Sequence, residues 1–124
     1  HVCIPYNEDF STSTCSCIER YQPKYTIIHS TVPPSTTEKV TELTGCKVAH
    51  SPVRGIHPEL LEGLLTFEKY IGADFDSAGI VEHFNSLGIN TSHVFPYLRN
   101  RQTSLNNLLR YLYCVAWRNE KDLR

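Results

Sequence analysis

Tyr25-Thr26-Ile27-Ile28-His29-Ser30-Thr31-Val32-Pro33-Pro34-Ser35-Thr36-Thr37 is the stretch whose reading decides the fold. Its first five residues are β-branched and aromatic, a short run suited to the middle of a sheet. Hydroxyl residues and two prolines follow at once, and then a helix opens. Ser35 with Glu38 three residues later has the capping-box pattern, Val40 and Leu43 mark an apolar side, and Gly45 closes it. Cys46-Lys47-Val48-Ala49 reads as the next strand, running into His50-Ser51-Pro52-Val53-Arg54-Gly55-Ile56-His57-Pro58. Polar residues thus gather directly after two strands. In an alternating strand–helix chain, that is where ligands usually bind.

The flanks fit the same alternation. His1-Val2-Cys3-Ile4 reads as the end of a buried strand, stopped by Pro5, which cannot donate to a ladder. Phe10, Cys15, Ile18 and Tyr21 then recur at approximately helical spacing, through a segment of poor helix formers. Downstream, Pro58 stands at the first-turn position of a helix expected to bury Leu60, Leu61, Leu64, Leu65 and Phe67. Lys69-Tyr70-Ile71-Gly72 is a fourth short strand, and Asp76 caps a helix with Ile80, Val81, Phe84 and Leu87 inward and Gly88 as its stop. A last short strand is expected between Ile89 and Phe95. Leu105, Leu108, Leu109, Leu112, Val115 and Ala116 predict a long amphipathic helix from Ser104 to about Lys121. The expected class is α/β: a parallel-sheet, Rossmann-like half domain over residues 1–100 with right-handed crossovers, followed by a connecting helix over 101–124.

Composition bounds the function. The 124 residues allow one domain with a packed core, and 40% hydrophobic with 20% charged residues is ordinary for a globular protein. A net charge of -1 gives no reason to expect nucleic acid or an acidic membrane as partner. No apolar run is long enough to span a bilayer and no signal peptide opens the chain, so the expected location is the cytoplasm. The chain contains no Met and starts inside a strand, which favours a fragment. Cys3, Cys15, Cys17, Cys46 and Cys114 lack zinc spacing and read as reduced thiols. None of the six glycines forms G-x-G-x-x-G. Either the fold binds no dinucleotide, or the phosphate-binding half lies upstream of His1.

Two turns carry the candidate chemistry. Ser30 and Thr31 can hydrogen-bond a ribose, a carboxylate or a catalytic water, and Val32-Pro33-Pro34 stiffens their turn. The competing reading makes Ser30, Ser35 and Thr36 turn and cap residues. At the second turn His50, Arg54 and His57 are three potentially cationic groups. Arg54 could bind a carboxylate or phosphate in two-point fashion, and either histidine could move a proton near neutral pH. No third ligand stands at a persuasive spacing, so no metal is expected. His29, His83 and His93 read as ordinary polar positions.

At Cys3-Ile4-Pro5, Ser30-Thr31-Val32-Pro33-Pro34-Ser35-Thr36 and Ser51-Pro52 the chain resembles the UDP-glucose/GDP-mannose dehydrogenase family, within the wider β-hydroxyacid dehydrogenase-like group. It looks like the second half of that family's NAD-binding domain, from His1 to about Gly88. The resemblance implies an NAD-dependent oxidoreductase (NADP not excluded) acting on an alcohol of an anionic metabolite. By position it places Cys3, Ile4, Pro5, Ser30 and Thr31 on the cofactor, with Thr31 also holding the water or carboxylate used in oxidation. The second turn's own residues supply the remaining expectations: Ser51, Arg54 and His57 on an anionic substrate, and His57 beside Thr31 in catalysis.

The sequence also departs from that family. The family's glycine after V-P-x is Ser35 here, its glutamate after N-P is Val53, and Asn107 stands where its catalytic lysine would be. Its catalytic cysteine belongs to a later domain. The alternative expectation, from another class, is a non-catalytic binding module that forms homo-oligomers through the Ser104–Lys121 helix, with Tyr111, Tyr113 and Trp117 at the interface.

Overall fold

The computed structural model describes residues 1–33, 35–53 and 57–93. Four helices and four strands alternate through them: α1 (Phe10–Tyr21), β1 (Tyr25–Ile28), α2 (Thr36–Thr44), β2 (Lys47–His50), α3 (Leu60–Thr66), β3 (Lys69–Ile71), α4 (Ala78–Ser86) and β4 (Thr91–His93). The alternation read from the sequence is therefore present, in an α/β arrangement of short parallel strands. The expected helix from Ser104 to Lys121, and with it the 101–124 segment and Cys114, lies outside the described residues.

β1 pairs with β2 in parallel, Tyr25 opposite Lys47 and Ile28 opposite His50. β3 pairs with β4 the same way, Lys69 opposite Thr91. The first strand expected from the sequence contracts to a bridge: Val2 donates to the Ile27 carbonyl and accepts from His29 N–H. The two strand pairs meet where His50 and Gly72 exchange both backbone hydrogen bonds, each 2.8 Å long.

Side chains alternate across β1 and so supply two cores. Ile28 joins Phe10 and Ile18 of α1, Val40 of α2, Val32 and Val48 on one face. Ile27 joins Ala49, Ile71, and Ile80 and Phe84 of α4 on the other. Burying each of these large apolar side chains is worth about 1.5–3 kcal/mol before entropy is counted. That packing is why α1 forms from poor helix formers: Phe10, Thr14 and Ile18 line up four residues apart and are all buried. Tyr21, expected on the same stripe, is exposed.

Three local expectations need correction. Ser35 does precede α2, but with φ 67° and no side-chain cap bond. A capping serine needs extended backbone, so the capping box does not form; instead the Thr36 hydroxyl donates to the Pro33 carbonyl at 2.8 Å. In α3 only Gly63 is buried, while Leu61 is 70% and Leu65 53% exposed. Helical spacing names an apolar stripe without saying what covers it. Ahead of α4 the cap position is Ser77, with Asp76 Oδ1 accepting from Ala78 N–H, and Leu87 faces outward. Gly45 and Gly88 close their helices at positive φ, as expected.

Among the described residues no helix is long and apolar enough to cross a membrane, and no cluster of His, Cys, Asp and Glu could hold a metal. Cys3, Cys15, Cys17 and Cys46 are free thiols, and burial pushes the Cys15 thiol up.

Candidate functional site

A crevice of about 910 Å³ opens at the carboxyl ends of the Val2 bridge and β1. One lip is Cys3, Ile4, Pro5 and Tyr6; the other is Ser30, Thr31 and Pro33; His29, Val53 and His57 complete it. The cofactor residues implied by the resemblance, Cys3, Ile4, Pro5, Ser30 and Thr31, thus come together around one opening, and His57 joins them.

The two lips are tied. The Ser30 hydroxyl donates to the Ile4 carbonyl. Behind it, His50 Nε2–H donates to the Ser30 carbonyl at 3.0 Å. His50 is 1% exposed, so of the three potentially cationic groups of the second turn this one supports the turn from inside. Thr31 stands exposed on the lip. Ser30 holds the shape and Thr31 presents the hydroxyl.

The substrate residues do not all gather there. Ser51 is fully buried, its hydroxyl donating to the Tyr70 carbonyl at 2.8 Å. His57 is exposed, just before α3. Arg54 lies outside the described residues.

Beneath the crevice is a cluster that the sequence reading passed over. His29 is 9% and Lys69 5% exposed. The Lys69 ammonium lies 3.1 Å from the Ser51 carbonyl, 3.3 Å from His29 Nδ1 and 5.3 Å from the centre of the Phe84 ring. His29 Nδ1 is 3.0 Å from the same Ser51 carbonyl, and its Nε2 is 2.9 Å from Nδ1 of His1, whose ring stacks on it. Burial first, then the neighbouring ammonium, lowers the His29 pKa to about 4; burial lowers that of Lys69 to about 8. Lys69 sits in an apolar strand, Lys-Tyr-Ile-Gly, and its period-two partner Ile71 is core. That alternation was the signal available for its burial.

No protein-family model matches the chain, and no curated protein sequence matches it. Among solved structures, the UDP-D-ManNAc dehydrogenase from Pyrococcus horikoshii superposes with a TM-score of 0.62 over 74% of this chain, at 21% identity. The UDP-N-acetyl-mannosamine dehydrogenase Cap5O from S. aureus superposes with a TM-score of 0.61 over 90% of it, at 18% identity. The likeness is one of fold. This chain spans 27% and 32% of those two chains, less than a third of each. Ser35 takes a left-handed turn that glycine adopts without strain.

Proposed function

We propose that the chain is part of the nucleotide-binding domain of an NAD(P)-dependent dehydrogenase, acting on an alcohol of an anionic metabolite of the nucleotide-sugar or hydroxyacid type. The observation that carries the reading is the convergence of Cys3, Ile4, Pro5, Ser30 and Thr31 on one strand-end crevice, in a fold shared with two nucleotide-sugar dehydrogenases. Open α/β sheets bind their ligands at such ends.

The described lining offers hydroxyls and apolar surface, which suit the nicotinamide ring and its ribose. With no G-x-G-x-x-G in the sequence, the isolated chain should bind the whole cofactor feebly. When bound, the cofactor accepts a hydride from the alcohol carbon while the hydroxyl proton leaves, giving a carbonyl compound, NAD(P)H and a proton. In this assignment Thr31 holds the reacting oxygen or a water by a hydrogen bond, and His57 receives the proton. Arg54 contacts the anionic group of the substrate.

The test is an NMR titration of the chain with nicotinamide mononucleotide and with NAD. Millimolar binding that moves the amide signals of Cys3, Ile4, Ser30 and Thr31 is expected. Silence at those four amides in saturating ligand would remove the dinucleotide reading.

A further inference from the structure

A carbonyl oxygen can only accept, so the 3.0 Å contact between His29 Nδ1 and the Ser51 carbonyl requires a hydrogen on Nδ1. Lys69 donates to that same carbonyl. Its 3.3 Å approach to Nδ1 is then a contact of charge against ring, since Nδ1 has no lone pair to offer. Adding a proton to Nε2 would place a second cation against the ammonium in a buried site. Of the other titratable neighbours, His50 from the end of β2 also lowers the His29 affinity for a proton, while the bond to the Ser51 carbonyl raises it. The rings of His1 and, beyond it, His83 of α4 pack beside His29. The Cys3 thiol on the crevice lip acts on Lys69 and favours its ammonium.

We propose that Lys69 is a positioning residue: bound to the Ser51 carbonyl, its ammonium adds to burial in keeping the His29 imidazole in the wall of the crevice uncharged, with Nδ1–H on the carbonyl and the Nε2 lone pair accepting from His1 Nδ1–H. The pKa values of about 4 for His29 and about 8 for Lys69 agree with this arrangement. Its use rests on the dinucleotide reading above: an oxidised nicotinamide ring is a cation, and a second cation beside the Lys69 ammonium would add to the repulsion it meets.

The experiment is a pH titration of imidazole nitrogen and carbon signals in the 124-residue chain with labelled histidines. His29 is expected to show the Nδ1–H tautomer, to titrate near pH 4, and to move again near pH 8 as Lys69 loses its proton. Lys69→Met should raise the His29 midpoint by roughly one pH unit or more, while Lys69→Arg keeps it low. A midpoint near 6.5 in the unaltered chain, or an unchanged midpoint in folded Lys69→Met, would overturn the assignment. If Lys69→Met does not fold, the second step in the unaltered chain decides: present it supports the assignment, absent it overturns it. A parallel titration with nicotinamide mononucleotide separates the two ideas. Silent crevice amides beside a His29 that follows Lys69 sink the dinucleotide reading and leave the Lys69 role standing.

Discussion

On one face of the sheet Phe10, Ile28 and Val40 close over one another, hydrocarbon against hydrocarbon, all at 0% exposure. On the other face an ammonium and an imidazole sit among Ile27, Ile71 and Phe84. Both faces hang from the same four residues of β1, which send Ile28 one way and Ile27 the other. The first face is mostly packing, with the buried His50 beside Ile28 bonded to the Ser30 carbonyl at its end. Stability on the second face depends on which groups carry protons. The difference teaches where to look for function: the buried ammonium and its imidazole neighbour lie beneath the crevice, and the hydrocarbon packing of Phe10, Ile28 and Val40 lies on the other face.

The comparison breaks most decisively at Phe10. Phe10→Ala should cost about 3–5 kcal/mol, read from urea unfolding, and the loss should be of similar size at pH 7 and pH 5 because the ring packs on Ile18, Ile28 and Val40. A loss that varied strongly with pH would erase the distinction between the faces.

Acid is the next largest effect. The unfolded chain protonates His29 near 6.5 and the folded chain only near 4, so the unfolded state takes the proton first as pH falls. The stability linked to His29 is therefore whole above 6.5 and lost between 6.5 and 4, by roughly 3 kcal/mol. Urea midpoints across that window check it, and His29→Gln should flatten the slope.

The lips of the crevice sharpen the contrast on a smaller scale. Ser30→Ala removes the tie to the Ile4 carbonyl and should cost about 1 kcal/mol of stability. Thr31→Ala, on the exposed lip, should change stability by less than about 0.5 kcal/mol, yet weaken nicotinamide mononucleotide about fivefold. Thermal melts paired with ligand titrations separate the two roles; equal behaviour of the variants would deny them. Smallest is Ser35→Gly, expected to stabilise by about 0.5 kcal/mol, since a serine at φ 67° bears a strain that glycine does not. An unchanged or lower melting temperature would refute it.

The sequence made the alternation legible because β-branched runs such as Tyr25–His29 and apolar spacings such as Ile80–Phe84 act locally. It also brought most of the crevice residues to one place, since strand ends in a parallel sheet share one edge. What it missed depends on surroundings. Ser35 stands three before a glutamate, yet its backbone takes a left-handed turn and its side chain makes no cap bond. The leucines of α3 repeat at helical spacing, which cannot say whether anything lies over them. Taken singly, His29 reads as an ordinary polar position and Lys69 as the first residue of a strand. They become a cluster only because β1 and β3, forty residues apart along the chain at this contact, project to the same face.

The His50–Gly72 exchange, where one strand pair abuts the other, gives the sheet an unequal grain. Within each pair the ladder is parallel; across the junction, the packing of Ile27 and Ala49 on Ile71 is joined by the Ser51 hydroxyl on Tyr70 and the Lys69 ammonium on Ser51. The lysine beneath the crevice is thus also a stitch between the two strand pairs.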